Sequence, residues 1–131
     1  MKFLLPALMV AAVMATPAYA ECTAPLQDVK IPNGNTATMD AMIAAKHAIQ
    51  ENNAAVEAYT QCLKTEQDAK IAAGGADMKD EEKVKISTEF VNRQNAEVEK
   101  LQKLADQFNV EVRAFKAKQA AAQPAAPAVP K

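Results

Sequence analysis

The sequence predicts an all-α protein, an antiparallel two-helix hairpin of coiled-coil character with an extended N-terminal segment stapled to helix one by a disulfide. Three observations carry that reading. Alanine, glutamate, lysine, glutamine and leucine are abundant in the 131 residues while tryptophan is absent, a composition of long helices rather than of a broad core. Two heptad-spaced apolar stretches flank Gly74-Gly75. The two cysteines, Cys22 and Cys62, fall one before the first stretch and one inside it.

Residues 1–20 read as an address rather than as fold. Lys2 provides a positive start, "FLLPALMVAAVMA" an apolar core, and Ala18-Tyr19-Ala20 the small residues that a signal peptidase needs. The apolar run is short and broken by Pro6 and Pro17, so it does not suit a membrane span. Cleavage is expected after Ala20, leaving a chain without stable membrane insertion, periplasmic or secreted.

Residues 21–37, "ECTAPLQDVKIPNGNTA", carry Pro25, Pro32 and Gly34. Each proline removes a backbone donor and pushes its predecessor towards extended geometry, so this segment is expected to be extended. Asn33-Gly34 signals a turn. A helical hairpin is expected over 38–119, with its turn near 73–77. Thr38 suits the N-cap and Asp40 the first turn. Steps of three and four then give Met42, Ala45, Ile49, Asn52, Val56, Tyr59 and Leu63, a seam with one strongly polar member. Beside it runs a column of small residues at Ala48, Ala55, Cys62 and Ala69, over which another segment can pack closely. Beyond Leu63 the seam reaches Glu66 and Lys70, so a solvated end is expected there.

Gly74-Gly75 stops the first helix. Asp77 offers a cap for the second, and Asp80, Glu81 and Glu82 fill its first turn. Its expected seam is Val84, Val91, Val98, Ala105 and Val112, with Leu101, Phe108 and Phe115 between them and Phe90 and Leu104 widening the stripe. Glu81–Lys85, Glu89–Arg93 and Glu99–Lys103 are four-residue pairs expected on the water face. Arg113, Lys116 and Lys118 are basic residues expected to complement the C-terminal dipole. Residues 120–131, "AAAQPAAPAVPK", have no periodicity and read as a disordered or extended tail. Two helices of about 50 to 60 Å bury only one stripe each. Such a hairpin is marginal alone and needs a strap, a disulfide or a second copy.

The cysteines allow the staple. An exported chain with an even cysteine count favours a disulfide. A helix from Thr38 to Cys62 rises about 36 Å, and an extended chain from Cys22 to Thr38 reaches about 50 Å. The segment can therefore run back along helix one, and closing that loop stabilises the fold by about 4 kcal/mol in the chain-entropy model. A disulfide between two chains satisfies the same cysteines. Lipidation of Cys22 fits poorly, since Glu21 stands where a small residue is wanted and Tyr19 where leucine is usual. A reactive Cys62 lacks the basic neighbours or helix N-terminus that lower a thiol pKa.

Charge and motifs narrow the function. Without Lys2 the chain keeps 14 of its 15 basic residues against 16 acidic ones, a formal charge of −2. That is no basic face for nucleic acid or for anionic membranes. The single histidine, His47, has Glu51 four residues on, but two ligands do not make a metal site. Ser87, the only serine, lies in a regular helical stretch without a nucleophile elbow. "DMKDEE" lacks the alternating ligands and glycine of a calcium loop and serves as helix capping. Gly74-Gly75 is too short to cradle phosphate, and Asn52 and Asn53 read as devices for register and partner number. No catalytic residue, metal ligand or cofactor is expected, and the chain is not read as an enzyme.

Several of these motifs occur together elsewhere. "CTAP" after a signal peptide, "IPNGNTATMDAMIAAKHAI", "AYTQCL" and a second helix with "FNVEVRAFKA" resemble a group of small secreted α-helical proteins of Gram-negative bacteria. The likeness runs over about residues 22–117, through Cys22, Gly34, Met42, Tyr59 and Cys62. It implies the Cys22–Cys62 disulfide and an envelope location, and brings no activity. The expected role is a structural or protein-interaction module, meeting a protein partner or itself through helical faces. The alternative is a holdase-like periplasmic chaperone, against which the near-neutral charge weighs.

Overall fold

A computed structural model describes residues 21–26 and 28–123. The predicted signal peptide and the stretch 124–131 of the predicted tail lie outside the described residues. After an extended N-terminal segment come two helices, α1 (Met39–Gly74) and α2 (Asp80–Ala122), packed against each other as a hairpin. At 36 and 43 residues they are about 54 and 64 Å long. No strand occurs among the described residues.

The helix ends follow local chemistry, with two departures from expectation. Thr38 caps α1 by accepting a hydrogen bond from the Ala41 amide at 3.2 Å. Gly75 ends α1 with φ of 66°, the left-handed geometry that favours glycine. Asp77 does not cap α2. It lies in the turn, the N-cap is Lys79, and Glu82 reaches back to accept from the Lys79 amide at 3.4 Å. Lysine has no acceptor, so only the reverse half of a capping box forms. At the other end α2 runs on to Ala122, because alanine propagates a helix without cost. Arg113, Lys116 and Lys118 therefore stand before the last turn, which holds no basic residue.

On α1 the buried face is Met42, Ala45, Asn52, Val56, Tyr59 and Leu63, as the three-four spacing predicts, with Ile49 half-buried. One member departs. Glu66, expected in solvent, is buried, because ionic and backbone partners converge on it.

On α2 the stripe turns by one residue. Phe90, Glu97, Leu104 and Phe115 are buried, while Val84, Val91 and Val98 are exposed. Both columns repeat every seven residues, so period alone does not choose between them. Size does. Phe90, Leu104 and Phe115, joined by half-buried Ile86, Leu101 and Phe108, remove more apolar surface from water than a valine column does. Glu97, which this rotation carries inward, pairs with Lys100 at 2.6 Å. Cys22, Tyr59, Leu63 and Phe90 form one apolar cluster, with Ile86 against it, near the closed end.

Candidate interaction surface

The hairpin has two lateral faces, and the chain itself covers one of them. The extended segment crosses that face as a strap. At its start Cys22 is bonded to Cys62 of α1, with their Cα atoms 5.9 Å apart. Leu26, Asp28 and Val29 then line a shallow recess with Ala48, Asn52 and Ala55. The small-residue column is thus the bed of the strap, since alanine leaves room for a backbone to approach.

Beneath Cys22 lies a polar knot. The Cys22 amide donates to Glu66 Oε2 at 3.3 Å, and Arg93 Nη2 donates to the Cys22 carbonyl at 3.1 Å. Arg93 Nη1 and Lys70 Nζ stand 3.4 and 3.2 Å from Glu66 Oε1. Burial alone raises a carboxyl pKa, but here the Cys22 amide, Lys70 and Arg93 together hold Glu66 below its ordinary range. Burial likewise opposes the charge of Arg93, yet Tyr59 and Glu66 raise its pKa, so it stays a cation. Its guanidinium carbon also lies 5.3 Å from the centre of the Phe90 ring, within cation–π reach. Arg93 was expected on the water face with Glu89. It turns inward because Glu66 and a backbone carbonyl of the strap offer stronger, partly desolvated partners.

The strap ends on α2. Asn33 makes the expected turn, its carbonyl accepting from the Thr36 and Ala37 amides and its side chain from the Asn35 amide. Gly34 serves a further purpose. Its amide donates to Glu111 Oε2 at 2.6 Å, and a Cβ there would collide with the Glu111 carbonyl and the Phe115 nitrogen. Glycine is required because two backbones touch. Lys118 Nζ closes the strap by donating to the Ala37 carbonyl at 2.8 Å.

The opposite face has no strap. On α2 the strap's partners Arg93 and Glu111 occupy one flank of the core stripe, and the valine column occupies the other. Val84, Val91 and Val98 are 63, 49 and 44 % exposed there. At the open end of the hairpin this face continues into an apolar groove between Met39, Ile43 and Met42 of α1 and Phe108, Val112 and Phe115 of α2.

The residues weighed for chemistry stay apart. His47 and Glu51 are exposed on α1, Ser87 accepts a hydrogen bond from Gln67 at 3.0 Å, and Asn53 donates to Glu57 at 2.8 Å. Asn52 is buried in the seam, with its Oδ1 unbonded among the described residues. No trio of His, Cys, Asp or Glu among the described residues is arranged to hold a metal ion. The strap's polar partners Arg93, Glu111 and Lys118 were not foreseen. Glu66 was visible as a charge at a seam position, which is itself a signal that a buried partner must exist.

These features define a class: a disulfide-strapped helical hairpin with one covered and one open face. No family model matches the chain, and no curated protein sequence or solved structure is significantly similar to it.

Proposed function

We propose that the protein is an exported, non-catalytic structural or protein-interaction module, working in the periplasm or outside the cell. The observation that carries this reading is the open face of α2, where Val84, Val91 and Val98 repeat every seven residues and stay about half in water. A regular valine column in water is the signature of a helix that meets another helix. The location draws on the N-terminal 20 residues and on the disulfide, which is compatible with an oxidising compartment. Among the described residues no helix is long and apolar enough to cross a membrane. The likeness to small secreted proteins of Gram-negative bacteria supports the same address.

The test is site-directed photo-crosslinking in cells, with the probe at Val91 on the open face and, as control, at Glu89. Protein adducts from Val91 and none from Glu89 are expected, on a chain that begins at Glu21 and carries no free thiol. Absence of adducts at both positions, or a cytoplasmic chain with two reduced cysteines, overturns the reading. A second reading, a holdase-like chaperone, draws on the groove at the open end, where Met39 and Ile43 stay half in water. It requires sub-stoichiometric suppression of aggregation of an unfolded client.

A further inference from the structure

We infer that the open face of α2 is the interface with a second copy of this chain, the two α2 helices pairing antiparallel about Val98. The inference rests on the interaction-module reading and names its partner. Three properties of the face argue for a copy of itself.

The first is symmetry of the column. Val84 and Val112 lie fourteen residues before and after Val98, and Val91 and Ala105 lie seven before and after. An antiparallel two-fold centred on Val98 therefore sets apolar against apolar at each step, which is how an isologous interface must be built. The second is charge. Asp80 and Lys116 stand eighteen residues either side of Val98, which is five turns at 3.6 residues per turn, and so they share its face. In the antiparallel pair each Asp80 meets the other copy's Lys116, and the acidic first turn lies against the region of Arg113 and Lys116. A parallel pair would set acid on acid and base on base. Asp80 is available for this, since its partner Lys83, 3.4 Å away, meets it on an exposed surface, where ion pairs are weak. The positions flanking the axis, Gln94 and Gln102, are uncharged, so nothing repels the approach. The third is need. Among the described residues α2 buries only Phe90, Leu104 and Phe115 of its apolar side chains, and so thin a core is usually supplemented by association. The strap excludes the covered face, which leaves this one.

The decisive experiment is a charge swap read by sedimentation equilibrium on the disulfide-bonded, mature chain. The native chain is expected to dimerise in the micromolar range. Asp80→Lys and Lys116→Asp should each weaken the dimer on the order of tenfold, because each change acts twice in a symmetric pair. The double variant should recover most of the native affinity. Independently, Val98→Cys should form a covalent dimer on mild oxidation, while Val110→Cys, which points elsewhere on α2, should not. Circular dichroism checks that each variant keeps its helices. A native chain that remains monomeric to about 100 µM overturns the inference, as does a double variant no tighter than the singles, or equal crosslinking at 98 and 110. If the chain is monomeric yet the Val91 probe captures another protein, self-pairing falls and the module reading stands. If neither occurs, both fall.

Discussion

The strapped and open faces of this hairpin are made from the same two helices and behave oppositely. On the strapped face charged residues are buried or half-buried. Glu66, Arg93 and Glu111 are fixed by the backbone of the strap, at Cys22 and Gly34. On the open face the pattern is regular and apolar, and it points into water. A strap supplies amides and carbonyls at fixed places, so the helix beneath it can carry charges. A helix docking on the open face, as proposed, would offer only side chains, and that face carries valines. What a face is built from therefore reports the kind of thing that covers it.

The contrast breaks most severely when the strap is released. Cys62→Ser, or reduction of the native chain, should cost about 4 kcal/mol by loss of the 40-residue loop constraint. Urea unfolding with and without reductant measures this, and the open-face valines should keep their solvent exposure throughout. The next effect is at Gly34→Val, where the new side chain meets the α2 backbone. Backbone yields less than a side-chain tip, so a loss of about 3 kcal/mol is expected, read as a lowered Tm.

Glu66→Gln comes third, at about 2 kcal/mol, since it weakens three charge-assisted contacts. It also alters the acid limb. The fold holds Glu66 below its ordinary pKa, so the unfolded chain binds that proton more readily than the folded one. The contribution is complete above the unfolded value and disappears as pH falls through the folded one. Stability should accordingly decline below about pH 5, and the variant should flatten that decline. Glu99 is held low by Lys103 as well, so some of the slope persists. The smallest effect belongs to the open face. Val84→Thr, measured in dilute solution where chains are separate, should change the stability of the hairpin by less than about 0.5 kcal/mol.

Much of this architecture is written locally. Thr38 as a cap, Gly75 as a stop and the Met42-to-Leu63 seam depend on neighbours within a turn or two, and spacing alone reveals them. The disulfide was legible because chain reach is simple geometry. The failure of Asp77 as a cap was not legible, because Glu82 reaches back to the Lys79 amide and the helix starts without an acceptor at its N-cap. The role of Gly34 was half legible: the turn shows in "PNG", but the contact with Glu111, distant in sequence, does not.

What the sequence by itself determined is the number of helices, the ends of α1 and the face that α1 buries. The tertiary structure alone decided which face of α2 turns inward. Valine and phenylalanine columns sit side by side with the same period of seven, and periodicity is blind to a rotation by one residue. The choice falls to side-chain size, and to a strap whose amides and carbonyls make Glu66, Arg93 and Glu111 acceptable at the edge of the core. The strap's contacts exist only once distant residues have met.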